Sequence, residues 1–172
     1  MLGGIKYLGL GLVLGFVFCY LLSDFIFIRT IIPVFSPENG AEIIDLINNA
    51  ENSIDIEMYV FTSKDVIEAL ERARNRGIKI RIILERDTIG GGNSETYFDL
   101  ASKGFNIRYA SDTYKLTHSK IMIIDDKIVF VGSHNFSNSA IYENREASVI
   151  INDIKTAEEF IRIFDIDWRL AA

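Results

Sequence analysis

Cysteine is nearly absent from this chain of 172 residues: Cys19 is the only one. A disulfide framework is therefore excluded, as is a zinc site built from several thiolates. Histidine is scarce too. His118 and His134 leave little material for a histidine-rich metal centre. Proline occurs only at 33 and 37, and there is neither an internal repeat nor a low-complexity tract. Positive charge is in short supply, with 18 Lys and Arg against 24 Asp and Glu, a net charge of −6. Such a balance argues against a surface coated for nucleic acid, while leaving a local basic patch open. What is abundant is apolar. A content of 49% hydrophobic and 24% charged residues excludes a disordered or collagen-like chain, and the length suits one domain of ordinary size.

The apolar residues are unevenly spread. Tyr7 to Ser23 carries no charge, and apolar character resumes after Asp24 with Phe25-Ile26-Phe27-Ile28. A membrane-spanning helix starting near Ile5 is expected, with Tyr7 and Tyr20 as interfacial residues. A cleaved signal peptide is the rival, although no A-x-A site follows the run. Lys6 before the span and Arg29 after it leave the orientation unread. Pro33 and Pro37 in IIPVFSPENG suggest a connector. Residues 1–32 are thus expected to be anchor and connector, and residues 33–172 a globular domain.

Within that domain, helical periodicity marks residues 41–50, 63–76, 94–103 and 155–168. Alternation marks strands at 53–61, 78–84, 105–110, 117–124, 127–131 and 146–151. Gly90-Gly91-Gly92 falls in a loop, Thr88–Asn93, that either lines an entrance or merely connects elements. Strand alternating with helix implies an α/β fold, a sheet with helices layered on both faces.

The informative stretch is THSKIMIIDDKIVFVGSHNFS. His118 and Lys120 are two apart on an expected strand, so they share a face. Asp125-Asp126 reads as a hairpin turn, and a two-residue turn sets Lys120 near Val131 and His118 near Ser133. The hairpin then gathers an imidazole, a cation and the neutral groups of Ser133 and Asn135, a set suited to a phosphate. His134 has the opposite strand parity and is expected to point away, on the surface or behind the site. Residues 64–86 carry seven basic and four acidic residues, either a solvated face or a patch for a polyanion, with Lys79 and Arg81 as its better contacts.

The spacing H-x-K-x4-D-x6-G-S-x-N resembles the signature of the phospholipase D superfamily. FSPENGAEIIDLINNAENSIDIEMYVFTSKDVIEAL and RGIKIRIILERD look like that family's first half, and NREASVI like its acidic element after the motif. One motif copy behind an N-terminal hydrophobic segment is similar to the small bacterial endonucleases and to the mitochondrial cardiolipin hydrolase branch.

The resemblance implies a phospholipase D-like sheet and a phosphodiesterase that needs no metal and no cofactor. His118 would attack phosphorus and form a phosphohistidine. Lys120 and Asn135 would hold phosphate oxygens, with Ser133 assisting. Glu146 would orient His118, and Asp125 would support the site by hydrogen bonding and ion pairing, although it is equally a turn residue. No second H-x-K exists in the chain, so a homodimer is expected to supply the second histidine. The expected activity is that of a membrane-anchored, single-pass endonuclease acting on nucleic acid. The alternatives are a phospholipase or cardiolipin hydrolase acting on membrane lipid, and a scaffold that keeps the fold without the activity.

Overall fold

A computed structural model describes residues 30–88 and 92–172. The membrane helix expected within residues 1–29 and the centre of the glycine loop, residues 89–91, lie outside the described residues. Among those described, no helix is long and apolar enough to cross a membrane.

Seven strands form one mixed sheet: β1 (Thr30–Phe35), β2 (Ser53–Met58), β3 (Lys79–Leu84), β4 (Asn106–Tyr109), β5 (Lys120–Ile124), β6 (Ile128–Gly132) and β7 (Ala147–Asn152). Their order is β1-β7-β6-β5-β2-β3-β4. β2, β3 and β4 run parallel, and the other pairings are antiparallel. The helices are α1 (Glu42–Asn48), α2 (Lys64–Asn75), α3 (Asn93–Ser102), α4 (Asn138–Tyr142) and α5 (Ile154–Leu170).

Alternation in the strands sorts the core into two layers. Ile54, Ile56, Met58, Ile82, Met122 and Phe130 face one way and pack with Ile43 and Ile47 of α1, Val66 and Leu70 of α2 and Leu100 of α3. Ile83, Ile123 and Val129 face the other way and meet Ala157 and Phe164 of α5. Each such side chain, fully withdrawn from water, contributes about 1.5–3 kcal/mol. The second layer also encloses charge. Arg81 donates to both oxygens of Asp55, at 2.7 and 2.6 Å, and to Asp165 of α5 at 2.8 Å. Its guanidinium lies over the rings of Phe164 and Trp168.

Two expectations change here. Thr30–Phe35, expected to be partly connector, is an edge strand, with Pro33 opposite Val149. β1 pairs on one side only, so a residue without an N–H is tolerated. Among the described residues, the sheet thus includes Thr30 to Ile32, ahead of the expected domain start at residue 33. The hairpin register also differs. Asp125 and Asp126 both have φ of +54°, and Lys127 N–H donates to the Ile124 carbonyl at 3.0 Å, as in a two-residue turn. Yet Ile124 pairs with Ile128, one residue beyond the expected partner. Lys127 is left out of the ladder, and its carbonyl accepts from Asp153 N–H at 3.2 Å instead.

Candidate active site

The parallel strands β2, β3 and β4 end at the rim of the sheet where the antiparallel β5 begins, with Met58 opposite Lys120. β6 ends and β7 starts at the same rim. Polar groups that follow or precede the strands collect there because the ladder stops and backbone and side chains are no longer committed to it.

Lys120 opens β5 and is only 8% exposed. Its Nζ donates to the His118 carbonyl at 3.0 Å and lies 3.3 Å from His118 Nε2. An ammonium only donates, so this contact needs Nε2 unprotonated, with the proton on Nδ1. Burial pushes the Lys120 pKa down, and the Glu146 charge opposes that shift. His118 itself is exposed and lies just ahead of the strand rather than on it. The chain there stays tied to the sheet through Tyr59 N–H, which donates to the Ser119 carbonyl at 2.9 Å.

Gly132 ends β6 because β7 comes too close for a side chain: a Cβ there would run into Ser148 Cα and the Ala147 carbonyl. Beyond it, Asn135 Oδ1 accepts from Val60 N–H at 3.2 Å. This fixes the amide and, among the described residues, leaves Nδ2 as an uncommitted donor. Phe136 continues the clamp, since its N–H donates to the Val60 carbonyl and its carbonyl accepts from Thr62 and Ser63.

Ser133 and Glu146 take different partners from those expected. The Ser133 hydroxyl donates to Glu146 Oε2 and accepts from Ala147 N–H at 3.0 Å, so it is engaged with the strand beside it. Glu146 Oε1 accepts from Asn144 at 3.3 Å. Glu146 thus binds Ser133 and Asn144 rather than His118, and reaches Lys120 through its charge.

Asp125 is at the wrong end of β5 for chemistry. Five residues beyond Lys120, at about 3.4 Å each, it sits roughly 17 Å away. Its carboxylate accepts from the backbone N–H groups of Glu51 (3.0 Å), Asn52 (2.6 Å) and Ser53 (3.0 Å). Burial alone raises its pKa, but these amides outweigh burial and hold it below the usual carboxylate range. Asp125 is a clamp on the turn between α1 and β2. Lys79 opens β3 at that same far end, and Arg81 is consumed by Asp55 and Asp165, so neither serves a polyanion at the rim.

His134 lies beyond the end of β6, where strand parity no longer applies, and is fully buried rather than on the surface. Its Nε2 bonds Ser36 Oγ at 2.6 Å and its Nδ1 bonds Ser148 Oγ at 2.7 Å. Ser36 passes its own proton to the Ala140 carbonyl, so Nε2 carries the ring proton and Nδ1 accepts from Ser148. Burial pushes the His134 pKa down, with the Glu146 charge opposing.

One contact at the site was not read from the sequence. The Tyr59 ring lies 4.4 Å from the His118 ring, centroid to centroid, and 5.0 Å beneath Lys120 Nζ. A tyrosine ending an apolar strand carries no signal of its own, since the alternation that places it also fits a core residue. Among the described residues, no group of three or more His, Cys, Asp or Glu is arranged to hold a metal ion.

Residues 43–168 match the family described as cardiolipin synthase, PLD-like domain. This chain belongs to the phospholipase D superfamily. It is 35% identical over 131 residues to a phospholipase D of Rickettsia prowazekii, covering 74% of this chain and 62% of that one. It is 28% identical over 119 residues to the mitochondrial cardiolipin hydrolase of Mus musculus, covering 69% and 53% respectively. The match thus spans less than two thirds of these curated relatives. Among solved structures, Nuc of Salmonella typhimurium, a phospholipase D family member, superposes with a TM-score of 0.76 at 28% identity, covering 84% of this chain and 97% of that one. The mixed α/β sheet is therefore the phospholipase D-like fold.

Proposed function

We propose that this chain is a phosphodiesterase of the phospholipase D superfamily that works through a phosphohistidine and without a metal ion, with nucleic acid as its substrate. The observation that carries this reading is an exposed His118 whose unprotonated Nε2 lies 3.3 Å from the buried Lys120 ammonium, a contact that gives way when the ammonium turns to a substrate phosphate. The Nε2 lone pair attacks phosphorus, the N–P bond forms, and the P–O bond to the leaving group breaks. Lys120 and the Nδ2 of Asn135 hold the non-bridging oxygens, where negative charge builds. Glu146, fixed by Ser133 and Asn144, balances the Lys120 charge from behind.

The departing oxygen needs a proton, and the group that gives it then takes one from the water that cleaves the N–P bond. His134 is unsuited, being buried and bonded at both nitrogens to serines. This supports a second copy of the chain as the donor, its His118 facing the first across a two-fold axis. Mixing wild type with excess His118→Ala chains tests this. Cooperation makes the inactive chain a dominant poison, whereas activity proportional to wild-type chains alone refutes it.

Nucleic acid is favoured by the single copy of the motif, the arrangement that resembles the small bacterial endonucleases. The second reading is hydrolysis of a membrane phospholipid, favoured by what the curated relatives are called. Either substrate is compatible with a single-pass anchor ahead of Thr30. Assays of single- and double-stranded oligonucleotides beside cardiolipin and phosphatidylcholine, all in EDTA, separate them. Cleavage of oligonucleotide alone supports the first reading, and cleavage of lipid alone the second. Activity only on restoring a metal ion overturns the shared mechanism.

A further inference from the structure

Beneath the segment that leads into His118 lies a small cleft lined by Glu57, Ile83, Ala110, Tyr114, Thr117 and Asp167, among others. Glu57 is on β2, one residue before Met58, with its side chain on the α5 face of the sheet. It is 3% exposed, and its Oε2 has no hydrogen-bond partner. Asp167, near the end of α5, also has a buried oxygen, Oδ1, without a partner. Both residues line this one cleft. Two buried acceptor oxygens without partners beside one space are costly, and one proton shared between the carboxyls satisfies both.

Of the charged groups on this face, Arg108 of β4, opposite Ile83, donates to the Trp168 carbonyl at 2.7 Å and lies over the Trp168 ring. On β2 and β3, Asp55 and Arg81 close an ion-pair group with Asp165 of α5, one step along the same face. Glu85, after β3, is occupied by the N–H groups of Asp87 and Thr117, at 2.9 and 2.7 Å. From the segment above, the Tyr114 hydroxyl comes near Asp167, and Ser119 bonds Glu57. β5 contributes Ile121, opposite Glu57, and no charge. Ser119 is the residue between His118 and Lys120, so the pair touches the chain beside the attacking imidazole.

We propose that Glu57 and Asp167 share one proton and serve as a positioning pair for the segment 111–119, holding His118 against Lys120 and Tyr59 while that proton is bound. Loss of the proton sets two carboxylates against each other under this segment. The repulsion is relieved by moving Ser119 and Tyr114 outward, and His118 moves with them. Burial first, and then the Asp167 charge, raise the Glu57 pKa to about 7, so the exchange falls within the working range of pH. The catalytic consequence rests on the reading of His118 as nucleophile, but the shared proton does not.

The experiment uses the full chain and two readouts. Trp168 is the only tryptophan and adjoins Asp167. Its fluorescence in wild type is expected to titrate with a midpoint near 7. Glu57→Gln, which gives Asp167 a permanent donor, abolishes that titration. On the cleaved substrate, it raises the ratio of kcat/KM at pH 8.5 to that at pH 6.5 at least fivefold over wild type. If Glu57→Gln does not fold, Asp167→Asn supplies the donor from the other side with the same expectation. A Trp168 signal flat between pH 5 and 9 in wild type overturns the shared proton, as does a titration that survives the amide variants. An unchanged kcat/KM ratio overturns the positioning role. Failure of wild type to cleave any phosphodiester refutes the proposed activity instead, and the fluorescence titration still judges the pair.

Discussion

Replacing Asp125 separates architecture from chemistry in this motif. Its carboxylate accepts from three backbone N–H groups, those of Glu51, Asn52 and Ser53. Net worth is about 1 kcal/mol for an ordinary hydrogen bond and more for one to a charged group, so the clamp contributes roughly 3 kcal/mol at this half-buried position. Asp125→Gly keeps the left-handed backbone and removes the whole clamp; Asp125→Asn keeps one carbonyl acceptor and should lose about half. Alanine is a poorer probe, because it adds about 1–2 kcal/mol of strain at positive φ. A domain of this size shifts its Tm by about 2–4 °C per kcal/mol, so Asp125→Gly should melt roughly 6–12 °C lower. The folded-state pKa of Asp125 is depressed, so its contribution is present above the unfolded value, about 3.9, and fades as pH falls below it. The gap between wild type and variant in calorimetric melts should therefore narrow below pH 4. Turnover per folded molecule should stay within about threefold, given the ~17 Å to Lys120. A variant with unchanged Tm and a hundredfold loss of kcat would refute this reasoning and restore Asp125 to the reaction.

Three further outcomes follow from the geometry. A chain begun at Val34 loses the pairing of Thr30 to Pro33 with β7, and should melt below one begun at Thr30; equal melting temperatures would return these residues to the connector. His134 is buried with a depressed pKa, so the folded state resists a proton that the unfolded chain accepts below about 6.5. Stability should fall as pH drops through 6.5 toward the folded-state value, and His134→Gln should flatten that slope in urea titrations; an identical slope in the variant contradicts the assignment. Glu57 has the opposite sign, because its folded-state pKa of about 7 lies above the ordinary value of 4.5. The stability it contributes below 4.5 is lost as pH rises through 7, about 3 kcal/mol in all, and Glu57→Gln should melt higher than wild type at pH 8 but not at pH 5.

Much of this molecule is legible in its sequence because the cues are local. SIDIEM and KIRIIL alternate, and the helix over Lys64–Asn75 is ended by Gly77 with φ of +91°. His118, Lys120 and Asn135 meet at the rim because the hairpin and the parallel strands all stop there. β1 escapes, because Pro33 argues for a break wherever edge position is unknown, and edge position is a property of the whole sheet. The five residues of α4 are too few to show periodicity. The partners of Ser133 and Glu146 depend on how closely β7 approaches β6, which Gly132 permits but does not announce. Spacing alone gives Asp125 the same weight as Lys120. Only the three-dimensional length of β5 puts one at the site and the other at the far end.

The mechanism requires His118 to become covalently joined to the substrate phosphorus, which keeps its second ester group until water cleaves the N–P bond. Rapid acid-free quench of full-length protein with excess substrate in EDTA, followed by peptide mass spectrometry, tests it most directly. The expected product is an adduct on the peptide containing His118 that carries phosphorus with its remaining ester group, nucleotidyl when the substrate is an oligonucleotide; it forms faster than steady-state turnover and is absent from His118→Ala, which should also lose at least a thousandfold in kcat. Steady turnover in EDTA by the His118→Ala protein, with no adduct on the wild type, would contradict it.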